Sequence, residues 1–208
     1  MSTFPARPPT PPREKAPMPA WEIAYLFPPQ GMWSEQDYLD LPGNRLVEFS
    51  DGTVEVLPTP TELHQLIMMF LCDALRAFAR AGDGGTVLVA PFRIRLREGK
   101  YREPDVMLML KANAHRRANE FWDGADLVME IVSADDPSRD LKTKRFEYAE
   151  ARIPEYWIVD PRRSEVTVLR LAGDHYEEHG VFTPGHRATS VLLPGFAIDV
   201  TAAFAVKQ

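Results

Sequence analysis

Two carboxylates stand where the sequence is otherwise apolar. Asp105 follows Pro104 and opens the run VMLML, and Glu130 interrupts the run LVM-E-IV. A charged side chain inside an apolar strand is costly unless another group compensates the charge. If the two strands are neighbours, both carboxylates converge on one site, where a cation between them would relieve their repulsion. An all-oxygen site of this kind suits a hard divalent ion such as Mg²⁺.

A lysine falls on the buried side of the helix that follows. Leu141, Tyr148 and Ala151 have the spacing of one apolar helix face, and Lys144 lies on that same face. The ammonium group of a buried lysine needs a partner, and Glu130 lies on the strand just before the helix. Two carboxylates, a metal ion and an ammonium group suit metal-assisted phosphodiester hydrolysis. The ion neutralises the phosphate and acidifies a water, which the lysine orients or deprotonates.

Each candidate also has a plain structural explanation. Asp105 can begin a strand after proline, Glu130 can belong to a structural ion pair, and Lys144 can be an ordinary surface lysine. Glu48 interrupts an apolar run in a predicted hairpin, so it is either a fourth site residue or a cross-strand charge partner. His64, near the start of a predicted helix, is either a site residue or a satisfied core histidine.

Basic residues recur on one strand and in one loop. Arg93, Arg95 and Arg97 alternate with apolar residues in FRIRLR, so they share one side of a strand. That side is either a solvent-facing sheet surface or a nucleic-acid groove. His115–Arg117 lies in a predicted loop, which is either solvated or in contact with phosphate.

The strands and turns that must position these residues are read from local patterns. Ser34 can cap a short helix that reaches Leu41, and the dipeptide Asp51-Gly52 between two strand-like runs predicts a hairpin. Further strand patterns occur in TVLVAPFRIRL, EPDVMLML, DLVMEIV, EYWIVD, EVTVLRL and HYEEHGVF. Several strands with two main helices indicate an α/β or α+β sheet domain.

The two main helices have recognisable ends. Thr59 is the predicted N-cap of the first helix, which ends at Gly82 and is apolar on more than one side. We therefore expect this helix to be buried between layers. Asp136 and Pro137 begin the second helix, which runs to about Arg152.

Composition narrows the class of protein. The net charge of −6 argues against a general nucleic-acid coat, and the single cysteine excludes an intramolecular disulfide. The sequence has no Walker loop, no signal peptide and no stretch long enough to span a membrane, so we expect a cytoplasmic protein. Nine of the 19 prolines fall in the first 29 residues. We therefore expect residues 1–33 to form a disordered or docking tail and residues 34–208 to form the domain.

The order of three motifs carries a family resemblance. EPDV, then MEIVS, then DLKTKRFEYAEARIPEYWIVDP resembles the restriction-endonuclease-like PD-(D/E)XK superfamily, and within it the bacterial Uma-two family of proposed endonucleases. The resemblance covers about residues 34–204. It implies an α/β core with a mixed central β-sheet flanked by helices. It also implies nuclease chemistry with Mg²⁺ or Mn²⁺, DNA as the expected substrate, and a homodimer, because cutting two strands needs two sites.

The resemblance assigns roles to individual residues. It implies that Asp105 and Glu130 bind the metal, and we expect the backbone carbonyl of Ile131 to join them. The superfamily places its lysine two residues after the second acid, where this chain has Val132. Lys144, on the next helix, is implied to take that role.

Two further residues of this chain match positions of the superfamily or family. Two functions other than a nuclease also fit the sequence. Glu48 matches an early acidic residue of the superfamily, and His64 matches a histidine that recurs in the family. The displaced lysine and the acidic net charge also fit a nuclease-fold module that binds or assembles without catalysis. A hydrolase of a small phosphodiester would use the same site.

Overall fold

The computed structural model describes residues 27–41, 46–82, 84–133 and 137–206. Within these ranges the strands are β1 Val47–Ser50, β2 Thr53–Val56, β3 Gly85–Val89, β4 Arg93–Arg97, β5 Lys100–Arg102, β6 Val106–Leu110, β7 Phe121–Asp123, β8 Leu127–Ile131, β9 Glu155–Asp160, β10 Glu165–Ala172, β11 His175–Phe182, β12 Arg187–Thr189 and β13 Ala197–Asp199. The α-helices are α1 Glu35–Leu39, α2 Glu62–Ala81, α3 Lys144–Glu150 and α4 Val200–Phe204. A 3₁₀ turn spans Lys111–Arg116 and a π-helical turn spans Arg139–Thr143. Residues 1–26 of the predicted tail, and Asp136 at the predicted start of the second main helix, lie outside the described residues.

The larger sheet has the strand order β11-β10-β9-β8-β6-β3. Strands β8 and β9 are parallel, and the other neighbours are antiparallel. Alternate residues of β8 face opposite sides, so Met129 joins the core under α2 while Val128 joins the core that includes Tyr148 of α3. The mixed central sheet flanked by helices is therefore confirmed. The strand after Asp105 and the strand that carries Glu130 are neighbours, as the convergence of the two carboxylates requires.

Helix α2 covers one face of this sheet and differs from the prediction in two respects. Thr61, not Thr59, is the N-cap, and its side chain accepts a hydrogen bond from the His64 backbone N–H at 3.2 Å. Threonine stands on both sides of Pro60, so the sequence pattern alone fits either cap. The helix is also not buried on several sides, because Leu71 is buried whereas Met69 is 57% exposed. The partly buried Phe70 and Phe78 at the margins of the buried face, together with the exposed Met69, make the helix look apolar on more than one side in the sequence.

The smaller sheet has the order β2-β1-β5-β4-β7 and confirms the predicted hairpin. Asp51 and Gly52 both have positive φ, at 47° and 83°, as a two-residue turn between twisted strands requires. A Cβ on Gly52 would lie only 2.7 Å from the carbonyl oxygen of Gly31, so this turn also needs glycine for space. Residues before Ser34 take part in the packing, since the Phe27 and Trp33 rings stack at 5.6 Å beside this hairpin.

The second main helix is irregular where it begins. Its first described turn is π-helical, because the Lys144 backbone N–H donates to the carbonyl of Arg139, five residues earlier. The α-helix proper then starts at Lys144. The sequence analysis also missed short elements, namely β5, β7, β12, β13 and α4. Elements of three to five residues are too short for a periodic pattern to reveal.

Candidate active site

Asp105 and Glu130 lie side by side at one end of the central strands. Strands β6 and β8 pair with Val106 opposite Met129, so the next step along each strand brings Asp105 opposite Glu130. The Ile131 backbone N–H donates to Asp105 Oδ2 at 2.7 Å and holds that carboxylate against β8. Both side chains are largely buried. The structure therefore brings the two predicted carboxylates together.

Lys144 lies within a ring of carboxylates. Its Nζ is 2.8 Å from Glu130 Oε1, 3.4 Å from Asp140 Oδ1 and 3.7 Å from Glu48 Oε1. The residue is only 4% exposed, so it is not an ordinary surface lysine. Burial alone would lower the Lys144 pKa, but the surrounding carboxylates outweigh burial and raise the pKa above its usual value. The ammonium group therefore stays protonated at neutral pH.

Negative charge is in excess around this ammonium group. The net pKa of Glu130 is raised to about 8, because burial, with Asp105 and Asp140, outweighs the opposing effect of Lys144. Burial also raises the pKa of Asp140. The Tyr148 hydroxyl donates a hydrogen bond to Glu130 Oε1. A further cation at this site would relieve the remaining repulsion.

Glu48 is fully buried and is surrounded by cations. Its carboxylate contacts Arg102 at 3.6 Å, Lys144 at 3.7 Å and Arg139, and it accepts a hydrogen bond from the Glu103 backbone N–H at 3.2 Å. Burial raises the pKa of Glu48, but the three cations lower it by more, so the net shift is downward. Within the hairpin Glu48 has no opposite charge across from it, because the residue opposite on β2 is another carboxylate, Glu55. Its cross-strand ion pair is with Arg102 of β5, on the other side of β1.

His64 reaches the same site from the first turn of α2. Its Nε2 is 3.2 Å from Asp105 Oδ2. Burial lowers the His64 pKa, but Asp105 raises it by more, so the net shift is upward. Among the described residues, the buried Nδ1 atom of His64 has no hydrogen-bond partner. His64 is therefore not a satisfied core histidine.

A cleft of about 710 Å³ opens over these groups. The carboxylates form its floor, and one wall is apolar, with Leu57, Pro60 and Met68 among its residues. The site residues that the sequence analysis predicted from separate elements thus share one cavity. Glu48 lies behind it, because Glu48 is buried and does not line the cleft.

The sequence analysis missed two carboxylates of this cleft. Asp140 lies four residues before Lys144, a spacing at which helical side chains meet, so the pattern contained a usable signal. Glu103 is buried beside Glu48, and its Oε2 has no hydrogen-bond partner among the described residues. Burial, and then the charge of Glu48, raise the pKa of Glu103 to about 8. A glutamate before proline has no sequence pattern that distinguishes it from a surface residue.

The basic residues considered earlier do not line this cleft. Arg95 pairs with Asp123 at 2.6 Å, and Arg93 lies over the Tyr38 ring at 4.7 Å. Arg97 pairs with Asp51. In the loop of His115–Arg117, Arg116 donates to the Asp123 carbonyl.

The donor chemistry of the site fits a hard divalent ion. Asp105 and Glu130 offer carboxylate oxygens at the cleft, and the contacts with His64, Ile131, Lys144 and Tyr148 are made by one oxygen of each, Asp105 Oδ2 and Glu130 Oε1. Mg²⁺ prefers one or two carboxylates and takes water and substrate oxygens for its other positions. In the part of the chain that the structure describes, no three His, Cys, Asp or Glu side chains are arranged to hold a metal. A site here would thus depend on the carboxylate pair.

The mixed sheet flanked by helices matches a nuclease-like fold. A model of the Uma2 family, described as "Putative restriction endonuclease", matches residues 35–201, and the chain belongs to this family. The fold resembles the crystal structure of "a putative nuclease belonging to DUF820" from Anabaena variabilis ATCC 29413, with a TM-score of 0.69 and 16% sequence identity. That similarity covers 84% of this chain and 98% of the other. No curated protein matches the sequence. No helix among the described residues is long and apolar enough to cross a membrane.

Proposed function

We propose that this protein is a metal-dependent endonuclease that hydrolyses phosphodiester bonds of nucleic acid, with DNA as its substrate. The observation that carries this proposal is the meeting of Asp105, Glu130 and Lys144 in one cleft. Membership of a family of proposed endonucleases supports the same reaction class.

In this proposal, Asp105 and Glu130 hold Mg²⁺ or Mn²⁺ with the help of the Ile131 backbone carbonyl. When bound, such an ion neutralises charge on the scissile phosphate and lowers the pKa of water. The chain itself orients these ligands, since the Ile131 N–H and His64 both contact Asp105 Oδ2.

Lys144 acts as a cation and not as a base. The raised pKa of its ammonium group keeps the proton in place at neutral pH, so Lys144 can donate hydrogen bonds to the attacking water and to a phosphate oxygen. Its position next to Glu130 places that positive charge beside the proposed metal ligands. Glu48 and Asp140 hold the Lys144 side chain from the other sides.

The direct test is cleavage of labelled single-stranded and duplex DNA and RNA in Mg²⁺, in Mn²⁺ and in chelator. We expect cleavage of DNA that needs the ion. Asp105→Asn and Glu130→Gln should abolish it, and both should keep the circular dichroism spectrum of the wild type. If no substrate is cut with either ion, the catalytic proposal is wrong. Ion binding without cleavage, measured by calorimetry, would then favour a module that has lost catalysis.

The assay also separates nucleic acid from a small phosphodiester. A nuclease that contacts several phosphates binds DNA with a steep dependence on salt concentration. We expect this dependence for the wild-type protein. Hydrolysis of a small phosphodiester together with salt-independent DNA binding would contradict the choice of substrate.

A further inference from the structure

Among the described residues that line the cleft, the lysine and arginine side chains are Lys144, Arg139 and Arg162, and they differ in how their charge is neutralised. Lys144 is enclosed by three carboxylates and is nearly inaccessible. Arg162 makes a two-point contact with Asp160, two residues earlier at the end of β9, at 2.6 Å and 2.9 Å. Arg139 has one buried and one exposed partner, and this asymmetry sets it apart.

The buried partner of Arg139 is Glu48. Because Glu48 is fully buried and also contacts Arg102 and Lys144, it is a fixed anchor for one side of the guanidinium group. Arginine presents its N–H groups in a rigid plane, so fixing one edge also orients the other. The other edge of the Arg139 guanidinium group is therefore already oriented before any ligand binds. Binding there costs less side-chain freedom than binding by an unanchored arginine would.

The exposed partner of Arg139 is Glu55, which contacts the other terminal nitrogen at 3.0 Å. The Glu55 side chain is 59% exposed, whereas the Arg139 side chain is 15% exposed. Exposed ion pairs contribute little to stability, since solvent screens them. An anion with better geometry can thus replace Glu55 at small cost. A phosphate is such an anion, because arginine and phosphate form paired, charge-assisted hydrogen bonds.

We propose that Arg139 binds a non-bridging oxygen of a substrate phosphate beside the reacting centre, and that Glu55 occupies this position until the substrate displaces it. This inference rests on the nuclease function proposed above and adds a phosphate-binding residue and a competing carboxylate to it. Glu55 and Glu48 lie directly opposite each other on the hairpin, so a purely structural role for Arg139 would be to neutralise this pair. The two roles predict different effects for the loss of Glu55, namely tighter substrate binding if Glu55 competes with phosphate and unchanged binding if Arg139 is purely structural.

The test compares Glu55→Gln with Asp51→Asn. Both changes remove one exposed carboxylate from the same hairpin, and Asp51 also pairs with an arginine, Arg97, but outside the cleft. We expect Glu55→Gln to lower KM for a DNA oligonucleotide several-fold with little change in kcat, and Asp51→Asn to leave KM unchanged. Arg139→Gln should raise KM by about tenfold, the effect of losing one charge-assisted hydrogen bond. It should also lower the slope of binding against salt concentration by roughly one.

The inference is overturned if Glu55→Gln behaves like Asp51→Asn, or if Arg139→Gln changes only the melting temperature. If the wild type cuts nothing, the proposed nuclease function fails on its own. Equilibrium binding of the same oligonucleotide then decides the role of Arg139. Weaker binding by Arg139→Gln together with tighter binding by Glu55→Gln supports the inference, and equal affinities overturn it.

Discussion

The ammonium group of Lys144 is the most informative single target. Lys144→Met keeps much of the volume of the side chain but removes the charge that Glu130, Asp140 and Glu48 share. Breaking a buried ion pair in this way typically costs roughly 3–5 kcal/mol, because a charge is left uncompensated. The carboxylates can take up protons, which limits the loss, so we expect a decrease of about 3 kcal/mol in the free energy of unfolding at pH 8. For a domain of this size that corresponds to a fall of about 6–12 °C in melting temperature.

The pH dependence of this loss follows from the same geometry. Without the ammonium group, the already raised pKa values of Glu130 and Asp140 rise further above those of the unfolded chain. The folded variant then binds more protons than the unfolded one, so its stability falls as pH rises. We therefore expect the deficit to be largest at pH 8 and to shrink to about 1 kcal/mol at pH 5.

Urea denaturation followed by tryptophan fluorescence measures both effects, since Trp157 is fully buried. Lys142→Met is the matched control, because Lys142 lies two residues earlier and is exposed. The control should unfold like the wild type at every pH. If Lys144→Met is as stable as Lys142→Met at pH 8, or if its deficit does not shrink on acidification, the reasoning about this buried charge network is wrong.

Two further predictions concern the scaffold. Thr61→Ala should destabilise the protein by about 1 kcal/mol in urea denaturation, whereas Thr59→Ala should have no effect, since Thr61 caps α2; equal effects would contradict the cap assignment. Glu147 accepts two hydrogen bonds of 2.7 Å from Arg102 and is 2.8 Å from Lys100, and although burial raises its pKa, these cations lower it by more. The stabilisation by Glu147 is therefore present above pH 5 and is lost as the pH falls through its folded pKa. Glu147→Gln should cost about 3 kcal/mol at pH 7 and clearly less at pH 3 in the same assay, and an undiminished cost at pH 3 would refute the linkage.

The site residues that could be predicted from the sequence are charged residues in places where the pattern of a strand or helix is apolar. Asp105 and Glu130 interrupt apolar strands, and Lys144 occupies an apolar helix face, so each needed a compensating partner. The structure provides those partners, because Lys144 and Glu130 form an ion pair and Asp105 lies opposite Glu130. Their roles in catalysis stay predictions.

The parts that could not be predicted depend on tertiary contacts. Glu103, Arg139 and Glu55 look like ordinary polar residues in the sequence. In the structure Glu103 and Arg139 line the cleft, and Glu55 contacts Arg139 because the hairpin packs against the π turn. Strands of three residues, such as β5 and β7, form because neighbouring strands pair with them, and their own sequences do not require it. The position of the lysine on a helix came from the apolar stripe and the family resemblance together.

The π-helical turn at Arg139–Thr143 has a consequence for how this site can vary. Tyr148 and Ala149 are buried against the sheet and fix the rotation of α3, so they also fix Lys144. Removing one residue from the turn would restore ordinary α-helical spacing and swing Arg139 by about 100° around the helix axis, while Lys144 would keep its place. A single-codon deletion could thus remove the contacts of Arg139 with Glu48 and Glu55 while Lys144 keeps its own contact with Glu48, so length changes in this turn are a direct route by which related chains could diverge.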